Sequence, residues 1–173
     1  LSNVYFNLAH TLRALGKQDE ALFYIRKSLK IEPESKDNSI ALISILIDIG
    51  DILEADKMAS EYIRKFPEFE ELYIIRGKIF NLKGEYNAAI NSLKGAIKLN
   101  KSNYFSYYSL GNIFNSINKY EKAMEYLRTA LELNPVFAEA YSDLGVILIN
   151  TNNLYEAEKN LKQALQLKPD LFA

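Results

Sequence analysis

Residues 138–171 read AEAYSDLGVILINTNNLYEAEKNLKQALQLKPDL, and residues 104–137 read YFSYYSLGNIFNSINKYEKAMEYLRTALELNPVF. Laid one on the other, they share a register. Tyr141 falls on Tyr107, Leu144 on Leu110, Gly145 on Gly111, Leu161 on Leu127, Ala164 on Ala130 and Pro169 on Pro135. The same 34-residue step runs back through the whole chain in three separate series. Alanine holds it without a gap at 21, 55, 89, 123 and 157; proline holds it at 33, 67, 135 and 169. Gly16, Gly50, Gly84, Asn118 and Asn152 form the third series. A fixed period of this length is the mark of a repeat architecture.

Each series has a mechanical reading. Gly and Asn tolerate the left-handed backbone with which helices commonly stop, so they mark the end of a first helix in every unit. Asp51 with Glu54, and Asn153 with Glu156, have the spacing of a capping box at the start of a second helix. The prolines stand where that second helix must end. No β-type alternation competes. The chain is therefore predicted to be all-α, built from five pairs of short antiparallel helices over residues 2–35, 36–69, 70–103, 104–137 and 138–171.

With the proline slot numbered 32 in each unit, positions 4, 7, 8 and 11 share one face of the first helix. Position 4 carries Tyr5, Ser39, Tyr73, Tyr107 and Tyr141, and position 7 Leu8, Leu42, Arg76, Leu110 and Leu144. Position 8 carries Ala9, Ile43, Gly77, Gly111 and Gly145, and position 11 Leu12, Leu46, Phe80, Phe114 and Leu148. Small residues at 8, 20 and 27 let the helices of a pair approach, while large ones fill the space between units. This pattern resembles the tetratricopeptide repeat (TPR) family over essentially the whole chain. The resemblance implies a right-handed superhelical α-solenoid, a single array spanning residues 1–173. Unit two departs most: Ser39 and Ala59 are small where the family is large, and Ile43 and Tyr62 are large where it is small. Compensated repacking accounts for that swap. Lys101 stands in the proline slot of unit three.

Positions 2, 5, 6, 9 and 13 lie opposite the core face of the first helix. By resemblance to the family they line a concave groove where ligands bind. Phe6, Ile40, Ile74 and Tyr108 recur at position 5, and Asn7 and Ile75 stand at position 6. His10, Lys78 and Asn112 are at position 9 and Phe105 at position 2. These residues form the candidate partner-binding groove, an apolar stripe edged by Asp37, Glu71 and Glu139. A row of apolar residues on a solvent face marks an interaction site. The competing reading is that tight winding presses these side chains against neighbouring first helices.

Other functions find little support. One family subset clamps a carboxylate with Lys, Asn and Arg at positions 2, 5, 6 and 9, but no three consecutive units here supply that donor cluster. A ladder of asparagines at position 6, as in arrays resembling the O-linked N-acetylglucosamine transferase, is reduced to Asn7. The chain has no cysteine and one histidine, His10, which excludes thiolate chemistry and any His-based triad within one chain. No Gly-rich phosphate loop occurs. Catalytic, metal and cofactor residues are accordingly expected to be none. Net charge is −1 without a continuous basic stripe, so no nucleic-acid partner is expected. No apolar run is long enough for a membrane span, so no membrane partner is expected either. Cysteine usage fits a reducing compartment, and a cytoplasmic location is the expectation.

The expected role is a protein–protein interaction scaffold that holds a peptide, helix or protein surface in its groove. The alternative is a self-association or substrate-presenting spacer of a larger enzyme such as a glycosyltransferase. The chain begins at Leu1 and stops at Leu171-Phe172-Ala173, soon after Pro169, which reads as a piece of a longer protein. Apolar residues of the last helix should then be left uncovered, giving a route to homo-oligomers through the array ends.

Overall fold

A computed structural model describes residues 1–169. The expectations for Leu171-Phe172-Ala173 lie outside the described residues. Among the described residues run ten helices: α1 (Ser2–Ala14), α2 (Gln18–Ile31), α3 (Lys36–Ile49), α4 (Ile52–Lys65), α5 (Glu70–Leu82), α6 (Tyr86–Leu99), α7 (Tyr104–Ser116), α8 (Tyr120–Leu133), α9 (Ala138–Asn150) and α10 (Leu154–Leu167). The fold is an all-α helical repeat array. It divides into two compact units, Leu1–Lys83 and Gly84–Ala173. None of the described helices is long and apolar enough to cross a membrane.

Helix ends fall where the repeat places them. Gly16, Gly50, Gly84, Asn118 and Asn152 all have positive φ, the two asparagines at 57° and 60°. The residue after the turn then bonds back into the last turn of the helix. Asp51 N donates to Leu46 O at 2.9 Å, Lys119 N to Phe114 O at 2.9 Å and Asn153 N to Leu148 O at 2.8 Å. These are Schellman closures, and they satisfy carbonyls that a bare helix end leaves open. Asp51 caps α4 as expected, its Oδ1 accepting from Glu54 N at 3.0 Å. Asn153 does not cap α10 in this way; its amide instead donates to Glu156 Oε2 at 3.2 Å. An Asn side chain has a donor to offer the carboxylate, and Asp has none.

Each proline lies two residues past a second helix: Pro33 after Ile31, Pro67 after Lys65, Pro135 after Leu133 and Pro169 after Leu167. Without proline, α6 still stops at Leu99. There Asn100 Oδ1 accepts from Ser102 N at 3.0 Å, an Asx turn that redirects the chain. Asn103 then caps α7 by accepting from Phe105 N at 3.1 Å.

In unit Leu1–Lys83 the core gathers Ala9, Leu12, Ala21, Ile25, Leu42, Ile43, Leu46, Ala55, Ala59, Leu72 and Ile79. The swapped residues of the second repeat sit together within it. Ile43 and Ala59 are fully buried, and Ser39 turns its hydroxyl back to Ser35 O at 2.8 Å. Tyr62 packs against this core only half-buried, its ring stacked on Phe66 at 6.3 Å. Arg76 fills the leucine slot of the third repeat by laying its guanidinium over Phe80 at 5.0 Å. Leu8, expected in the core, is 36% exposed, because the described residues hold no helix pair before α1 for it to pack on.

In unit Gly84–Ala173, Ala89, Ala123, Leu93, Leu127, Ala96 and Ala130 are fully buried, with Ala157 nearly so. The glycines of α7 and α9 are pressed against the leucines of the helices they pair with. A β-carbon on Gly111 would stand 2.8 Å from Leu127 Cγ, and one on Gly145 would stand 2.7 Å from Leu161 Cγ. Further core series emerge from the packing. Ile45, Ile79, Ile113 and Ile147 repeat at position 10, all buried. Leu131 and Leu165 share position 28; α9 follows the first and covers it to 8% exposure, while the second stays 44% exposed.

Candidate functional site

The predicted groove residues divide between the two units. In the first unit they stand on α1, α3 and α5, and these first helices touch one another in sequence, α1 on α3 and α3 on α5. That contact decides which side chains remain accessible. Phe6 and Ile40 are half-buried and pack against the core cluster, while Asn7, His10 and Lys78 are exposed. Ile75, expected to widen the stripe, is only 9% exposed and belongs to the core. An apolar side chain there is shielded with the rest of that cluster. Its neighbour Ile74 is half-buried and keeps an accessible edge. Ile75 serves packing, and Ile74 keeps surface to offer.

In the second unit the groove face is built by α7 and α9, which also touch. Phe105, Tyr108 and Asn112 follow one another at helical spacing along α7, and Glu139, Asp143 and Val146 do so along α9. Phe105 is 45% exposed. Its ring lies 5.7 Å from that of Tyr108, which meets Phe137 edge-on at 4.7 Å; Phe137 in turn meets Tyr104 at 5.1 Å. Four rings thus form one aromatic wall, with contacts that favour a fixed arrangement.

Polar groups gather behind the wall. Burial, the nearby Asp143 carboxylate and Glu139 push the Tyr108 hydroxyl up to about 12, so it stays protonated and can donate. Burial also raises Asp143 above the usual carboxylate range, against the opposing pull of hydrogen bonding to Tyr108 and Asn112, while the Glu139 charge adds to the rise. Glu139 moves the other way, because Lys168 bonds its Oε1 at 2.9 Å. Sequence reasoning placed Phe105, Tyr108 and Asn112 on this face. It missed Asp143 as a participant, although the residue stands at position 6, facing positions 5 and 9 of the preceding repeat. Chemistry gave the signal: a carboxylate on a surface otherwise lined by aromatic and amide groups.

Second helices carry ion pairs in repeat register. Arg26 pairs with Glu54 at 2.9 Å and Arg128 with Glu156 at 2.8 Å, in both cases across 28 residues. Half-exposed pairs of this kind contribute little to stability, at most about 1 kcal/mol. Among the described residues no group of three His, Asp or Glu side chains is placed to hold a metal ion.

Comparison with known proteins agrees with the repeat fold. Tetratricopeptide repeat models match residues 2–35, 104–137 and 138–171, and a TPR repeat model matches residues 77–115. A 94-residue stretch is 29% identical to the Protein CTR9 homolog of Arabidopsis thaliana, covering 52% of this chain and 9% of that protein. Among solved structures, MamA aligns at TM-score 0.73 and 28% identity over 94% of this chain and 95% of its own. TTC0263, a thermophilic TPR protein of Thermus thermophilus, aligns at TM-score 0.86 and 22% identity over 98% and 92%. YrrB, described as a TPR protein with an unusual peptide-binding site, aligns at TM-score 0.65 and 20% identity over 96% and 86%. TPR proteins generally mediate protein–protein interactions, and the repeat fold is typically a non-catalytic scaffold. From the 34-residue register, the left-handed turns, the small-against-large packing and these matches, the chain belongs to the tetratricopeptide repeat family.

Proposed function

We propose that this chain is a protein-interaction module without catalysis of its own, and that the first-helix faces hold a peptide or helix from a partner protein. The observation that carries the reading is the aromatic wall on α7. Phe105 leaves nearly half its surface in solvent, its ring 5.7 Å from that of Tyr108. A large aromatic on a first-helix face beside Tyr108, with the exposed Val146 on α9, is the composition of a docking strip. Ile74 supplies a similar accessible edge in the first unit. The apolar surface would give affinity, at roughly 25 cal/mol per Å² buried before the costs of ordering. On the first-helix faces of each unit, carboxylates (Asp37 and Glu71 in the first, Glu139 in the second) would favour segments carrying Lys or Arg.

Selection from a random peptide library on the immobilised chain tests this reading. Enriched sequences should combine apolar anchors with basic residues, and Phe105→Ser should lose them while the helical circular dichroism is kept. Equal recovery by that variant would place binding elsewhere on the molecule.

A second reading rests on position 28. The exposed Leu165, with Leu154 and Tyr155 on the same helix, offers α10 as a surface for a second copy or for a further helix pair. Sedimentation of the chain against Leu165→Lys separates this from groove binding, since only self-association would fall with that change.

A further inference from the structure

Two helices carry repeat positions that are covered in the other repeats and open here. On the first helices, position 3 is buried in Asn38, Leu72, Ser106 and Ala140, whereas Val4 of α1 is 60% exposed. Position 7 is buried in Leu42, Leu110 and Leu144 and exposed in Leu8. On the second helices, position 24 is fully buried in Ile25, Ala59, Leu93 and Leu127 but only half-buried in Leu161. Positions 17 and 28 are exposed in Leu154 and Leu165, and at least half-buried in the four repeats before. Each internal junction shows what covers such residues. The second helix of one repeat packs on the first helix of the next: α2 on α3, α4 on α5, α6 on α7 and α8 on α9. Leu154, Leu161 and Leu165 share one face of α10 and form one half of a junction of this kind. Val4 and Leu8, one turn apart on α1, form the other half.

We infer that α10 of one chain docks α1 of a second copy, joining copies head to tail with Leu154, Leu161 and Leu165 against Val4 and Leu8. This rests on the second reading above and names the surface that meets α10. Register assigns the partner: among the described first helices, α1 is the one with positions 3 and 7 both open. Charge agrees with it. Arg26 pairs with Glu54 and Arg128 with Glu156, in each case position 25 of one repeat with position 19 of the next. Carried past the fifth repeat, the same step sets Lys162 against Glu20 of the second copy, again opposite charges. Lys162 is paired with Glu158 at 2.6 Å and Glu20 with Lys17 at 3.3 Å, exposed pairs that exchange at small cost. The contact joins unlike surfaces, so each added copy presents a fresh α10, and growth passes the dimer unless a ring closes. Thr11 makes it weaker than an internal junction. At position 10 the other four repeats bury isoleucine, while Thr11 is exposed and turns its hydroxyl to Asn7 O at 2.9 Å.

Sedimentation velocity of the 173-residue chain, from micromolar to millimolar, tests this. The native chain should show reversible growth with concentration. Val4→Lys and Leu165→Lys should each raise the dissociation constant about tenfold or more, because a lysine would stand in an apolar contact. Mixed one to one, the two variants should form a heterodimer and stop there, since each keeps one intact surface. Thr11→Ile, which completes the isoleucine series, should tighten association by about fivefold. A native chain that stays monomeric throughout would overturn the inference. If Leu165→Lys abolishes association while Val4→Lys associates as the native chain does, the head-to-tail pairing fails and α10 as a docking surface survives. If neither variant weakens association, both fail. Thr11→Ile and the native series need no disrupted variant, so misfolding of a lysine variant would not obscure the result; an unchanged constant for Thr11→Ile would overturn the register.

Discussion

Gly111 and Leu127 are in contact so close that a single methyl group added to the glycine would stand 2.8 Å from Leu127 Cγ and 3.3 Å from the Ala123 carbonyl oxygen. Leu127 is fully buried and cannot swing aside. In a helix, alanine is favoured over glycine by about 1 kcal/mol, so only a steric cost larger than that makes Gly111→Ala harmful. Overpacking of this kind costs about 1–3 kcal/mol. Gly111→Ala is therefore expected to lower stability slightly, by about 1 kcal/mol net, in urea unfolding. Leu127→Ala made alongside it should reverse the sign of the glycine effect, because the propensity gain then stands alone. A stabilising Gly111→Ala in the native background would show that the two helices can part to admit a methyl group.

Ala123 makes the stronger case from the facing helix. It is fully buried in the alanine series, and its carbonyl lies under Gly111. Ala123→Leu adds three carbons where the backbone of α7 already fills the space, with an expected loss of about 1–3 kcal/mol or more. An unchanged denaturation midpoint would mean that α7 and α8 are not held in this register.

Tyr62 calls for a smaller effect than its residue type suggests. A fully buried aromatic cut to alanine costs about 3–5 kcal/mol. Tyr62 is half-buried with one ring stacked on Phe66, so Tyr62→Ala should cost nearer to about 2 kcal/mol. Ile43→Ala, at a fully buried site, should cost more than Tyr62→Ala, about 2–5 kcal/mol. The reverse order would assign the volume exchange of the second repeat to the tyrosine.

Asp143 gives a pH test with a definite sign. Its folded pKa is raised, so the folded state holds the proton more firmly than the unfolded chain does. Stability then falls as pH rises from the ordinary carboxylate range through the raised value, and above that value the penalty is complete. Asp143→Asn keeps an acceptor for Tyr108 and carries no charge. Its melting temperature should equal or exceed that of the native chain at pH 7, and the gap should close on acidification below about pH 4. A variant that is less stable at pH 7 would show that the carboxylate contributes more through hydrogen bonds than burial takes away.

The period, the helix ends and the small-against-large packing were legible because each recurs at one spacing with one physical cause. Gly50 and Asn118 differ in side chain yet share the left-handed turn, which is why the series could be read through the change. The isoleucines at 45, 79, 113 and 147 are as regular but went unread, since the face assigned to the core stopped at four positions. Ile75 was misplaced for the same reason. Ile75 alone of the position-6 residues joins the core, and no pattern within one helix announces that. Asp143 was overlooked because its partners Tyr108 and Asn112 lie on another helix, more than 30 residues away in the chain.

Ile74 and Ile75 are consecutive on α5 and separate packing from binding. Ile75 is nearly sealed in the core, and Ile74 keeps an accessible edge. An aspartate at 75 would be a charge with no partner in an apolar cluster, and such a group costs several kcal/mol or forces its own neutralisation. Ile75→Asp should therefore unfold the first unit or lower its melting point sharply. Ile74→Ser removes apolar area at the rim and should leave helicity and melting nearly unchanged. Combined with Tyr108→Ser, it should reduce capture of library-selected peptides by tenfold or more, about 1.4 kcal/mol, in fluorescence anisotropy. If the double variant unfolds, both residues serve packing, and Phe105 is left as the exposed aromatic of α7. If it stays folded and still binds at native affinity, the peptides sit on a different surface, and the exposed apolar residues of α10 become the place to look.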